Sequence, residues 1–140
     1  MTGRHFIDSN VWIYLMTDDD PAKKKQAGTF VRDLINTGAA IVSWQVINEV
    51  CRTLVCKKNK DESFVRLTIE LICGSCEIID FSEHMLEIAS DLRAQHSVSF
   101  WDSLVIAAAL ESDCDTLISE DMQDGRKFGR MAVRNIFASK

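Results

Sequence analysis

Short apolar runs that alternate with helical patterns constrain this chain most. Residues 4–8, 39–42, 77–81, 114–119 and 132–137 each read as a short strand. Between them lie helical stretches at about 10–16, 21–36, 44–57, 61–74, 82–95 and 100–111. Pro21 suits the first turn of its helix, and Gly38 closes it. Ser43, Ser82 and Ser99 stand where N-caps belong. Strands separated by helices pair in parallel, because each crossover carries the chain back to the same end of the sheet. The runs are apolar on both sides, as strands covered on both faces must be. The expected fold is α/β, a short central parallel sheet of about five strands with helices on both faces. With 140 residues and no repeats or linkers, the chain reads as one domain over 1–140.

Composition removes several classes of function. No apolar stretch approaches the ~20 residues that span a bilayer. Met1-Thr2-Gly3-Arg4 leads straight into a strand without the pattern of a signal peptide. A cytoplasmic protein is the expectation. Five cysteines cannot all pair within one chain. Cys73 and Cys76 have C-x-x-C spacing, but no second pair completes a tetrahedral zinc site, and the spacing falls where a helix ends. Reduced thiols are expected. The net charge of −5 argues against coating a polyanion wholesale. The charge is uneven, however. Six acids and no Lys or Arg lie from Asp102 to Asp121, while Arg126, Lys127, Arg130, Arg134 and Lys140 follow with only Asp124 against them. An acidic centre beside a basic tail suits a nucleic-acid substrate; solvated surface charge is the simpler account of that feature alone.

Four acids stand at the ends or edges of apolar segments. Asp8 follows His5-Phe6-Ile7, Asp121 follows Leu117-Ile118-Ser119-Glu120, and both fall at strand ends, where α/β sheets build their sites. Asp8 serves equally well as a helix cap. Glu49 shares the polar side of its helix with Gln45 and Arg52, and a solvated Glu49–Arg52 pair accounts for it as readily as a cleft does. Asp102 sits in the first turn of a helix that is apolar nearly all round and must therefore be buried. It either closes a capping box with Ser99 or faces a site, and the two are compatible. A carboxylate at the edge of a core is costly unless it is paired, hydrogen-bonded or bound to a metal. Four that converged would repel one another, and a hard divalent cation relieves that. Trp12, Trp44 and Trp101 lie in apolar helical patterns, so core or interface packing is expected over base stacking.

Taken in order, Phe6-Ile7-Asp8-Ser9-Asn10-Val11, Val46-Ile47-Asn48-Glu49-Val50, Phe100-Trp101-Asp102-Ser103-Leu104-Val105 and Ser119-Glu120-Asp121-Met122-Gln123-Asp124-Gly125 resemble the PIN-domain nucleases, most closely the VapC-type toxins of prokaryotic toxin–antitoxin pairs. The resemblance implies an endoribonuclease using Mg²⁺ or Mn²⁺ held by Asp8, Glu49, Asp102 and Asp121. It implies auxiliary roles for Asn10, Ser119 and Asp124, a homodimer, and a VapB-type antitoxin. Hydrolysis by water would leave a 5′-phosphate and a 3′-hydroxyl. Arg126, Lys127 and Arg130 are the expected contacts to flanking phosphates of the RNA. Two rivals remain. A phosphatase with a strand-end Asp nucleophile would need a second Asp two residues on, where Asn10 stands. A non-catalytic RNA- or protein-binding module would not need the acids intact.

Overall fold

The structure is a computed structural model that describes residues 3–138, so Lys140 of the basic tail lies outside the described residues. Six strands form one sheet: β1 (His5–Ile7), β2 (Ala40–Ser43), β3 (Glu77–Ile79), β4 (Thr116–Ile118), β5 (Lys127–Phe128) and β6 (Met131–Arg134). Their spatial order is β3-β2-β1-β4-β6-β5. The pairings β1–β2, β1–β4, β2–β3 and β4–β6 are parallel. Only β5 is antiparallel, against β6. The strand β5 lies in a stretch that reads as loop, because two residues are too few to show a period. It is joined to β6 through Gly129, whose φ of 60° is in the left-handed region that glycine tolerates.

The helices are α1 (Ser9–Met16), α2 (Pro21–Asn36), α3 (Trp44–Cys56), α4 (Glu62–Ser75), α5 (Glu83–Gln95) and α6 (Phe100–Glu111). Side-chain oxygens of Asp20, Ser43, Asp61, Ser82 and Ser99 accept N-terminal amides of the helices that follow, and this fixes where those helices begin. The chain steps from β1 to β2 to β3, then returns past β1 to β4. Right-handed crossovers put α1–α4 on one face of the sheet and α5 and α6 on the other. The packing agrees: α1 meets α2 and α3, α3 meets α4, and α5 meets α6.

Residues 103–109 of α6 are buried without a break, as an all-round apolar helix requires. Trp12, Phe6, Ile41, Leu54, Ile106 and Leu117 fill the core beside them. Trp12 thus packs as the sequence suggests. Trp44 and Trp101 do not enter the core; they are 46% and 62% exposed. Each sits in the first turn of its helix. The Trp44 indole N–H is held by Asp80 Oδ1 at 2.6 Å, and Trp101 packs edge-on to Phe100. The five cysteines are free. Burial pushes the Cys76 thiol up to about 12 and that of Cys114 to about 11, which leaves both inert.

A candidate acidic site at the strand switch

The chain leaves β1 toward β2 on one side and leaves β4 toward β6 on the other. Neighbouring parallel strands whose connections diverge open a crevice beyond their C-terminal ends. Ile7 and Ile118 are register partners at the ends of these strands. The next residues, Asp8 and Ser119, therefore meet. The Ser119 hydroxyl donates to Asp8 Oδ2 at 2.8 Å, and the Ser9 amide donates to Asp8 Oδ1 at 2.8 Å. Asp8 caps α1 through one oxygen and accepts the Ser119 hydroxyl with the other, so capping leaves it able to face the crevice.

Asp8 is only 4% exposed. Burial pushes its carboxyl up to about 6; the hydrogen bonds from Ser119 and Ser9 oppose the rise, and the charges of Glu49 and Asp121 add to it. The core edge thus holds a carboxylate that is costly to ionise and that feels two further carboxylates.

Asn10 and Ser119 bind Asp121 into the same network. Asn10 Nδ2 donates to Asp121 Oδ2 at 3.0 Å, and the Asp121 amide donates to Ser119 Oγ at 3.2 Å. The Glu120 amide donates to Asn10 Oδ1 at 3.2 Å. The Glu120 side chain turns away to Tyr14, at 2.7 Å, and to Lys23. That clamp ties the loop after β4 to α1 and α2.

Glu49 is half-buried on α3 and accepts from Gln45 Nε2 at 3.1 Å. It makes no ion pair with Arg52 among the described residues. The solvated pair that the helix spacing allows is therefore not formed. Glu49 lines a cavity of about 560 Å³ with Ser9, Arg52, Thr53 and Trp101. At the start of α6, Ser99 Oγ accepts the Asp102 amide at 3.1 Å. The reciprocal half of the capping box is absent, and the Asp102 carboxylate has no hydrogen-bond partner among the described residues. It lines a cavity of about 160 Å³ together with Asp121 and Arg126.

The remaining expected residues divide. Asp124 is exposed and accepts the Asn135 amide at 2.9 Å, which ties its loop to the segment after β6. Arg126 lies beside Asp102 and Asp121, with its guanidinium over the Phe128 ring at 4.8 Å. Lys127 and Arg130 are exposed on the β5–β6 hairpin and do not line the cavities that hold the acids. Cations that the sequence reading passed over do line them: Arg52 beside Glu49, and Lys57 and Lys58 beside Asn10 and Asp121. The signal was present, since 49, 52, 53 and 57 fall on one side of a helix.

The donors here are carboxylate oxygens with amide and hydroxyl support, which is the chemistry that Mg²⁺ and Mn²⁺ prefer. Burial is the main reason the Asp8 carboxyl is raised, with smaller contributions from Glu49 and Asp121; a bound cation would favour the ionised form against all three. Among the described residues no three acids, histidines or cysteines already stand close enough to hold one ion.

No curated protein sequence matches significantly. Among solved structures, the fold is similar to a toxin–antitoxin complex from Klebsiella pneumoniae, at 19% identity over 95% of this chain and 98% of that one, with a TM-score of 0.72. VapBC2 from Rickettsia felis, bound to a DNA fragment from its promoter, is similar at 16% identity over 94% of this chain and 97% of that one, with a TM-score of 0.70. Mycobacterium tuberculosis VapC20, a sarcin–ricin loop cleaving toxin, is similar at 15% identity over 81% of this chain and 86% of that one, with a TM-score of 0.63. At such identities the likeness is one of fold. The family profile for the PIN domain matches residues 5–132, from the first residue of β1 into β6, and so takes in all four acids. The chain belongs to the PIN domain family.

Proposed function

We propose that this protein is a metal-dependent endoribonuclease and the toxin of a VapBC-type toxin–antitoxin pair. The observation that carries the reading is Asp8: a carboxylate at the strand switch whose pKa is raised by burial, with the charges of Glu49 and Asp121 adding to the rise, within a PIN domain. The similar structures, named as toxins and toxin–antitoxin complexes, support it. Asp8, Glu49, Asp102 and Asp121 would hold Mg²⁺ or Mn²⁺. Such an ion, when bound, polarises a phosphoryl oxygen and lowers the pKa of water.

The chain's own residues supply orientation. Ser119 and Ser9 hold both oxygens of Asp8, and Asn10 holds Asp121 while accepting the Glu120 amide. Asp102 brings a carboxylate with no prior commitment. Water as nucleophile would make a 2′-hydroxyl unnecessary and leave a 5′-phosphate. The test is to digest the cut RNA with an exonuclease that requires a 5′-phosphate. Degradation is expected; resistant fragments ending in a 2′,3′-cyclic phosphate would refute hydrolysis by water.

A VapB-type antitoxin is the proposed protein partner, and the cytoplasm, where free thiols persist, is the proposed location. We assign the proposed homodimer to the exposed aromatic face formed by Trp44, Phe81, Phe100 and Trp101, because monomers seldom leave such a patch open. Trp101→Ser should weaken self-association at least tenfold in sedimentation equilibrium, which is about 1.4 kcal/mol. A wild-type chain that sediments as a monomer at high concentration would overturn that assignment.

A further inference from the structure

An acidic centre repels the polyanion it is meant to cut, so its flanks must supply positive charge. Some of the nearby cations are already committed. Lys23 is paired with Glu120, Lys24 with Asp18, and Lys58 with Asp19. Arg52 and Lys57 enter no ion pair among the described residues, yet each lines a cavity with one of the four acids. The two cavities adjoin, since Ser9 and Thr53 line both.

All of this sits on one helix. From Glu49, Arg52 lies one turn along α3 and Lys57 at its C-cap, roughly 12 Å along the axis at 1.5 Å per residue. A cation at a helix C-terminus also suits the helix dipole, which is reason enough for Lys57 taken alone. It does not explain Arg52 in the middle of the helix. The acid one turn away that Arg52 could neutralise is bonded to Gln45 instead.

We propose that Arg52 and Lys57 bind successive phosphates of the RNA on one side of the cut, so that the strand runs along α3 from the acidic centre to the helix end. Arg126, beside Asp102 and Asp121, then stands on the other flank. The contacts position the backbone and carry no sequence information. This assignment rests on the endoribonuclease reading, and it replaces the hairpin residues Lys127 and Arg130 with helix residues on the α3 side.

The test measures binding of a short, unstructured, fluorescein-labelled RNA to the Asp102→Asn chain across a range of salt concentrations. Arg52→Gln and Lys57→Gln should each flatten the slope of log K against log salt by about 0.7, and the pair by about 1.4. Lys25→Gln, in a separate cavity lined by Phe30 and Arg134 and by none of the four acids, should leave the slope unchanged. In the active chain, each α3 substitution should raise KM about tenfold with kcat unaltered. An unchanged slope in the double variant, with cleavage by the active chain intact, overturns the proposal alone. The same holds if the substitutions weaken an acidic peptide partner and leave RNA binding untouched. A wild-type chain that neither binds nor cuts RNA in Mn²⁺ overturns the endoribonuclease reading, and this assignment with it.

Discussion

Asp8→Asn should raise the melting temperature of the metal-free chain at pH 7 while reducing RNA cleavage by about three orders of magnitude. The stability gain follows from burial. The Asp8 carboxyl is pushed from 3.8 up to about 6, so ionising it in the folded chain costs more than in the unfolded chain. The difference, 6 − 3.8, is 2.2, or about 3 kcal/mol at ~1.36 kcal/mol for each unit. Between those two values the folded chain binds more protons than the unfolded one. Stability from this group therefore falls as pH rises from 4 through 6, and the full cost is present at pH 7. Asparagine removes the charge and keeps an acceptor for the Ser9 amide, but its amide group cannot accept the Ser119 hydroxyl. The net gain at pH 7 should be about 1–2 kcal/mol, or roughly 3–6 °C. It should vanish at about pH 5 and reverse by about pH 4, where little of the charge cost is left but the lost hydrogen bond still counts. A variant that melts below the wild type at pH 7 would show that Asp8 does not carry this cost.

Ser119→Ala should act in the opposite direction. One hydroxyl donates to Asp8 and accepts the Asp121 amide. Its loss leaves Asp8 Oδ2 buried without that donor, at a cost of about 1.5–3 kcal/mol at pH 7. That bond holds the Asp8 carboxyl down, so the variant's carboxyl should rise further. The destabilisation should accordingly be larger at pH 7 than at pH 5, where Asp8 is mostly protonated. Combined with Asp8→Asn, the pair should fail to add by at least ~1 kcal/mol, as two residues in one network do. Simple additivity in denaturant unfolding would mean that the hydroxyl does not serve the carboxylate.

Much of the fold is legible in the sequence because its boundaries are written in caps. Pro21 and Ser99 place α2 and α6 where the structure has them. The strand β3 ends earlier than its apolar run suggests, where Asp80 turns to hold Trp44. The strand β6 stops at Arg134, where Asn135 accepts the Phe137 amide in a turn. The exposure of Trp44 and Trp101 was not legible, since an apolar pattern does not reveal which turn of a helix extends past the sheet.

The site divides along the same line. Asp8 and Asp121 could be read as neighbours because both follow strands, and the strand order puts those strands side by side. Asn10 and Ser119 carry auxiliary roles in the sequence only through the family resemblance; the hydrogen bonds that tie them to Asp8 and Asp121 depend on the fold. Glu49 and Arg52 could not be separated from solvated surface, because helical spacing gives the same pattern for a cleft and for water. Only the packing of α3 against α1 places them over the crevice. Asp124 went elsewhere because a backbone amide of the next segment lies within its reach.

The central claim is that these four acids form one metal site that hydrolyses RNA. The direct measurement is cleavage of a mixed RNA pool by the purified, antitoxin-free chain in Mg²⁺ or Mn²⁺, against EDTA, beside Asp102→Asn. The Asp102 carboxylate takes no part in capping α6, so the variant should fold and melt as the wild type does. The account predicts cleavage that requires the metal and falls about a thousandfold in Asp102→Asn. Cleavage that persists in EDTA, or that survives in a folded Asp102→Asn chain, would contradict it.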